Sequence, residues 1–390
     1  MCVLDAMESD DLAWYHPWLH GQLANFPHAV KQLRVGADTL LENNAFERVF
    51  QAVAKFVLET RGPSIDEVVE HLRTAESMES TPEAFTAQRH LAFAVLGWQS
   101  MTYIPAFNTC SLDQFAVHQD DNQFKPGLIF DSDKISIDLA DRPLFVILKG
   151  FGNLLPSPPS NITQVASEHS KDAATWLPLN PAETNAYLLT TLLHVKIRWV
   201  DCLSLHLDYD KSSRTLSLFS CPSFCIAMLQ SRGPLFAFAS TEKRAWDPRA
   251  NEDDIAQYMR EVLLSYRLLF GQHTRSRKLF PQIYRPPARL PTPDELLPVF
   301  CMAKHMDGRI FPGDQPMYFA AQHFPVLSER IELISKELKN SRPTSITDLI
   351  RDRRDTLQFW TFWLVSIIGG ISVILSLAQV VLQAAQIARE

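Results

Sequence analysis

The chain has 390 residues, 46% of them hydrophobic, with a net charge of −7 and a pI near 6.0. That apolar content excludes a disordered tail, and the absence of a dominant charge sign excludes bulk attraction to nucleic acid. Six cysteines (Cys2, Cys110, Cys202, Cys221, Cys225 and Cys301) make no disulfide framework and read as buried thiols of a reducing compartment.

Residues 1–18 carry early acids and no basic stretch ahead of an apolar run, so they do not read as a secretory signal. Helical spacing follows over 10–60, where Leu41, Phe46, Val49, Phe50, Val53, Phe56 and Val57 share one face. Gly62-Pro63 ends that element, and Ser64 with Glu67 forms a capping-box signal for the next. Thr81-Pro82-Glu83 opens another helix reaching about Leu96, with Thr as cap, Pro in the first turn and an acid beside it. Residues 1–100 therefore read as a helical N-terminal unit.

Residues 101–345 read as a mixed α+β body. KISIDL and PLFVILKG look like short strands, and the Pro- and Ser-rich stretch 154–172 is the best internal loop. It contains the sequon Asn161-Ile-Thr163, which matters only in a lumen. Pro181 to His194 reads as helical. In CLSLHLDYDKSSRTLSLF, Leu203, Leu205, Leu207 and Tyr209 alternate with Ser204, His206 and Asp208, which predicts an antiparallel hairpin with one buried face. A helix is expected from about Glu252 to Phe270, a proline-interrupted linker from Pro281 to Pro293, and a last amphipathic helix in FPVLSERIELISKELKN, broken at Arg342-Pro343. The fold class is mixed α/β (α+β): a mainly helical soluble body, a small antiparallel hairpin or sheet, and one C-terminal transmembrane helix.

That helix belongs to a juxtamembrane and membrane segment, 346–390. Thr356 to Ala388 contains no Lys, Arg, Asp, Glu or His. The core, about 359–382, is roughly 36 Å long at 1.5 Å per residue, enough for a hydrocarbon layer of roughly 30 Å. Arg351, Arg353 and Arg354 precede it, behind Lys336, Lys339 and Arg342, whereas one base, Arg389, follows. The positive-inside rule then places the body in the cytosol, in tail-anchored topology, with Trp360 and Trp363 as anchors in the headgroup layer. Ser372, Ser376, Gln379, Gln383 and Gln386 recur at steps of four and three and make one polar face. Small residues and amides on such a face predict self-association or pairing with another membrane helix; the competing reading is that the serines bond back to their own helix.

Elsewhere chemistry is thinly marked. His206 and Asp208 share the polar face of the expected strand and read as solvent-facing. Cys221 and Cys225 lack two further zinc ligands at a recognisable spacing and read as small buried hydrophobes. His305, Asp307 and Asp314 match no calcium loop. Arg267, His273, Arg275, Arg277 and Lys278 cluster at and just beyond a helix end, where cations suit the helix dipole and are available to lipid, phosphate or an acidic partner. No metal ligand set or cofactor motif is read. P-loop, dinucleotide, zincin and nucleophile-elbow patterns are missing from the sequence.

HVKIRWVDCLSLHLDYD, LLSYRLLFGQHTRSRKLF and RDRRDTLQFWTFWLVSIIGGISVILSLAQVVLQ resemble an uncharacterised family of filamentous-fungal proteins that end in the same Trp-rich membrane segment. The resemblance covers Asn25 to the C-terminus and implies a fungal source and a membrane location, with no activity or site residues attached. The functional expectation is a tail-anchored, non-catalytic binding or regulatory protein whose partners are the lipid bilayer and a second copy or another membrane helix, without nucleic acid. The alternative is a membrane-tethered enzyme acting on an apolar metabolite or lipid.

Overall fold

The computed structural model describes residues 12–36, 39–108, 111–118, 134–152, 154–158, 177–240, 250–305, 313–341 and 356–387. The Arg342-Pro343 break, Arg351, Arg353, Arg354, Arg389, Asp307, Cys2, Cys110, the sequon and most of the 154–172 loop lie outside them.

Among the described residues of the first hundred, the longer helices are α1 (Tyr15–Leu23), α2 (Asn43–Glu59), α3 (Ile65–Ala75) and α4 (Pro82–Ser100), and a short antiparallel pair, Arg34–Val35 with Thr39–Leu40, interrupts them between α1 and α2. The expected caps are in place. Ser64 Oγ accepts from Glu67 N while the Glu67 carboxylate accepts from Ser64 N, and Thr81 accepts from Ala84 N. Each satisfies a backbone donor that the first turn leaves orphaned. An aromatic cluster binds these helices: Phe46 contacts Phe26, Phe50 and Trp98, Phe26 also contacts Trp98, and Tyr15 donates its hydroxyl to Trp98 O at 2.9 Å.

Beyond α4, strands β1 (Gln114–Ala116) and β2 (Lys134–Ser136) pair antiparallel. PLFVILKG is not a strand. It forms helix α5 (Leu144–Gly150), because Leu144, Ile147 and Leu148, at helical spacing, are the residues it buries. Helix α6 (Ala186–Leu192), capped by Asn185, follows.

The largest sheet differs from the expected hairpin. Strand β3 (Lys196–Val200), in a stretch not read as a strand, pairs in parallel with β5 (Thr215–Phe219), and only β4 (Tyr209–Asp210) pairs antiparallel with β5. The reversal at DKSSR holds, since the Asp210 carboxylate accepts from Ser212 N and from the Ser212 and Ser213 hydroxyls. A parallel partner forces the chain to cross over, so residues 201–208 cannot continue an alternating strand. Leu203–Leu205 is a 3-10 turn and Leu207 adopts φ 59°, which turns His206 inward.

The remaining helices longer than one turn are α7 (Pro222–Ser231), α8 (Glu252–Tyr266), α9 (Thr274–Ile283), α10 (Leu296–Met302), α11 (Ser328–Asn340) and α12 (Thr356–Ile387). Asn251 and Asp254 form a capping box on α8, whose first turn carries Glu252, Asp253 and Asp254. After Tyr266 the chain winds through one π-turn, Arg267–Gly271, before α9 restarts. The expected linker from Pro281 thus begins later, at the end of α9, which includes Pro281. The described chain is mainly helical, and its N-terminal helices share the core with the rest: Trp14 Nε1 donates to Ser223 Oγ at 2.8 Å and Trp18 Nε1 to Asp201 Oδ2 at 2.9 Å.

Gly97 reports how tightly α4 is packed. A Cβ there would lie 2.5 Å from Cε2 of Tyr103, a buried ring whose hydroxyl is held by Phe93 O. Gly97→Ala is expected to destabilise the body by about 1–3 kcal/mol, despite the better helix propensity of alanine, as read from its thermal unfolding midpoint.

Candidate functional site

Helix α12 carries the most distinctive surface. Its segment Trp363–Ala384 spans 22 residues with a mean hydropathy of 2.3, and 0% of it is buried against the body. A core helix of that composition would be covered; this one presents Leu, Ile and Val on all sides. Trp360 and Trp363 are exposed near its start. Ser372, Ser376, Gln379 and Gln383 are exposed along one line, and Gln386 lies within the helix. Ser376 donates its hydroxyl to Ser372 O at 2.9 Å, back onto its own helix. A shallow groove lined by Ser372, Val373, Ser376, Leu377 and Val380 runs along that face.

The basic group divides in two. Arg267 is not at the surface. It is 1% exposed, with Nε and Nη2 donating to the two Asp314 oxygens at 2.8 and 2.7 Å and Nη1 donating to Phe300 O and Ala303 O, each at 2.8 Å. The planar fork of arginine suits this bidentate use. Gly271 leaves room for it, because a Cβ there would fall 2.2 Å from Arg267 Nη1 and 2.7 Å from Phe300 O. Asp314 is therefore half of an internal staple, while His305 is exposed away from any described partner set.

The other four residues stand where α9 begins, not past a helix end, because the π-turn lets a new helix start at Thr274. Arg275, Arg277 and Lys278 occupy its first turns, where the dipole disfavours cations. Local contacts hold two of them: Arg275 stacks over Tyr187 at 5.2 Å, and Arg277 donates to Gly271 O at 2.6 Å and Thr274 Oγ1 at 3.0 Å. His273 bonds Ser276 Oγ at 3.0 Å; burial first, then Arg275 and Arg277, lowers its pKa. Lys278 is exposed.

His206 does not face solvent. It is 0% exposed, and its Nδ1 accepts from Phe219 N at 3.1 Å, which leaves the proton on Nε2 to be donated to Ser265 Oγ at 2.8 Å. Ser265 passes its own hydrogen to Val262 O. Burial, then the charge of Arg330, pulls the imidazole pKa down to about 3. Arg330 donates to Ser204 O and His206 O, and Tyr258 OH donates to Leu203 O, so the crossover between β3 and β5 is tied to α8 and α11. Asp208 stays exposed.

Beyond the carboxyl ends of parallel β3 and β5, where α/β folds place their sites, lie Asp201 and, in the first turn of α7, Ser223. Asp201 accepts from Trp18 and from Arg289 Nη2 at 3.3 Å; Asp294 accepts from Ser223 N at 2.8 Å and from its hydroxyl at 2.5 Å. These buried groups are met by donors and acceptors of the body itself. Cys221 and Cys225 are buried, and burial raises both thiols, as it raises Cys202 to about 11. Protonated thiols are poor nucleophiles and poor metal ligands.

Glu261 has the same interior character. Its carboxylate accepts from Val326 N at 3.0 Å, Leu327 N at 2.7 Å and Gln257 Nε2 at 3.0 Å, which makes it a cap on the start of α11 supplied by α8. Burial outweighs those bonds and pushes its pKa up to about 8.

The sequence reading passed over His16, His20 and Glu47, whose ligating atoms the structure brings within 4.8 Å of one another. The available signal was the His-x3-His spacing of HPWLH on a helix. No known family, curated protein or solved structure matches the chain.

Two opposed pH limbs follow for the body. The folded-state pKa of Glu261 lies above its unfolded value of 4.5, so folding binds a proton between pH 4.5 and about 8 and stability falls as pH rises through that window. The folded-state pKa of His206 lies below its unfolded value of 6.5, so stability falls as pH drops from 6.5 toward about 3. Thermal unfolding of the detergent-solubilised chain should flatten on the alkaline side in Glu261→Gln and on the acid side in His206→Gln. Each variant also loses about 1–3 kcal/mol at neutral pH by leaving a buried N–H without its acceptor.

Proposed function

We propose that the chain is a tail-anchored, single-pass protein of an intracellular membrane, of the filamentous-fungal family it resembles. Its N-terminal body is cytosolic and binds or regulates a partner without catalysing a reaction. The observation that carries the anchor is the complete exposure of the 22-residue apolar segment of α12. Each large apolar side chain left in water forgoes about 1.5–3 kcal/mol of burial, and α12 satisfies its backbone internally, as a lipid-spanning segment must. The Lys and Arg residues ahead of the helix and the exposed indoles of Trp360 and Trp363 support a cytosolic body.

The binding reading rests on how the polar interior is used. His206, Asp201, Ser223, Asp294 and Glu261 are engaged by the body's own donors and acceptors. Arg275, Arg277 and Lys278 form the surface available to an anionic headgroup or an acidic partner. In the membrane the exposed Gln379 and Gln383 amides favour a second copy, at about 0.6 kcal/mol per cross-helix bond, whereas Ser376 is already satisfied on its own helix.

Alkaline carbonate should leave the full chain in the membrane pellet and release a chain truncated before Thr356; extraction of the full chain would refute the anchor. A glycosylation sequon appended after Glu390 should be modified, and Asn161 should not. Cross-linking in membranes should capture a dimer that Gln379→Leu with Gln383→Leu reduces; an unchanged dimer fraction would remove the amides from the interface.

A further inference from the structure

Two helices of the N-terminal unit place three metal-ligating side chains at one exposed point. His16 and His20 lie one turn apart on α1, their rings stacked at 6.3 Å with an interplanar angle of 29°. Glu47 reaches the same point from α2, and one ligating atom from each of the three lies within 4.8 Å of the others. All three side chains are exposed, and none has a hydrogen-bond or ion-pair partner among the described residues. By contrast, the exposed acids Glu252 and Glu70 have arginine neighbours.

The backbone beneath the cluster is held firmly. On α1 the intervening face is buried: Tyr15, Trp18 and Leu19 pack inward, Tyr15 contacts Phe50 of α2 at 6.5 Å, and the Trp18 indole is bonded to Asp201. On α2 the neighbours of Glu47 in the core are Phe46 and Phe50, both buried. The packing of these aromatics fixes the separation of the two helices, while the ligand side chains remain free to change rotamer. An ion at about 2.0–2.2 Å from each ligand needs its ligand atoms roughly 3.3 Å apart, a closure of about 1.5 Å that exposed His and Glu side chains reach by rotation.

We infer that His16, His20 and Glu47 form a binding site for a divalent transition-metal ion of the zinc class. Two imidazoles and one carboxylate suit zinc better than calcium or magnesium, which take oxygen ligands. Histidines at i and i+4 on one helix face are a recurrent zinc chelate. Three protein ligands leave a fourth position for water or a partner's side chain. Pro17 stands at the position where a zinc peptidase helix of this spacing carries its general-base glutamate, so the site holds an ion without the base that hydrolysis requires. Bound metal links α1 to α2, and through Trp14 and Trp18 to the body.

The test uses the full chain in detergent, free of affinity tag, stripped with chelator and titrated with zinc chloride against a chromophoric chelator. One zinc per chain is expected, with a raised unfolding midpoint and with magnesium failing to compete. Because a direct ligand matters at least as much as the outer-shell groups worth 10–100-fold, His20→Asn and Glu47→Gln should each weaken binding at least about tenfold. The two variants alter different helices at exposed positions, and unchanged circular dichroism establishes that each is folded. No zinc uptake by the unsubstituted chain, or uptake that both folded variants retain at full affinity, would overturn the site.

Discussion

A helix left uncovered by the described residues of the body constrains everything else about this chain. From Trp363 to Ala384 none of α12 is buried against those residues, and the segment averages a hydropathy of 2.3. Placed in water, these side chains would forgo on the order of 1.5–3 kcal/mol each, a total that exceeds the ~5–15 kcal/mol by which a whole domain is stable. Lipid would remove that cost, and the segment is compatible with it, because an α-helix meets its own backbone donors and acceptors. Even Ser376 follows that rule by bonding to Ser372 O.

The body is organised by a different economy, that of buried polar groups. Arg267, Glu261, His206, Asp294 and Asp201 lie inside, and each is met by a partner from another element. Arg267 joins the π-turn to Asp314 and to the carbonyls at the end of α10; Glu261 joins α8 to α11; Trp14 and Trp18 join the N-terminal helices to the start of α7 and the end of β3. Such contacts are unforgiving of partial loss, since one partner removed leaves the other buried and unmet. The body therefore has a strongly specified interior.

That division explains which features were legible beforehand. The caps at Ser64 and Thr81 could be read because their donors and acceptors lie within three residues of one another; the equally local box at Asn251 was not read. PLFVILKG was misread because a short apolar run, Leu144 to Leu148, fits a buried strand and a short helix equally well by composition; which neighbours it buried settled the matter. The alternation around His206 was real in sequence but was overridden when β5 took β3 as its parallel partner, in a stretch not read as a strand. The position of the basic residues changed sign relative to the helix dipole for an equally local reason: one π-turn separates the end of α8 from the start of α9.

By itself the sequence determined the anchor-like helix, the helices beginning near Asn43, Ile65 and Pro82, and the caps at Ser64 and Thr81, all consequences of periodicity and of bonds between near neighbours. Tertiary structure decided the inward turn of His206, the burial of Arg267 against Asp314 and the convergence of His16 and His20 on Glu47. Those outcomes depend on which distant segments share a core, as when Trp14 finds Ser223 across 209 residues, and no local pattern encodes the distance between two side chains that chain folding alone brings together.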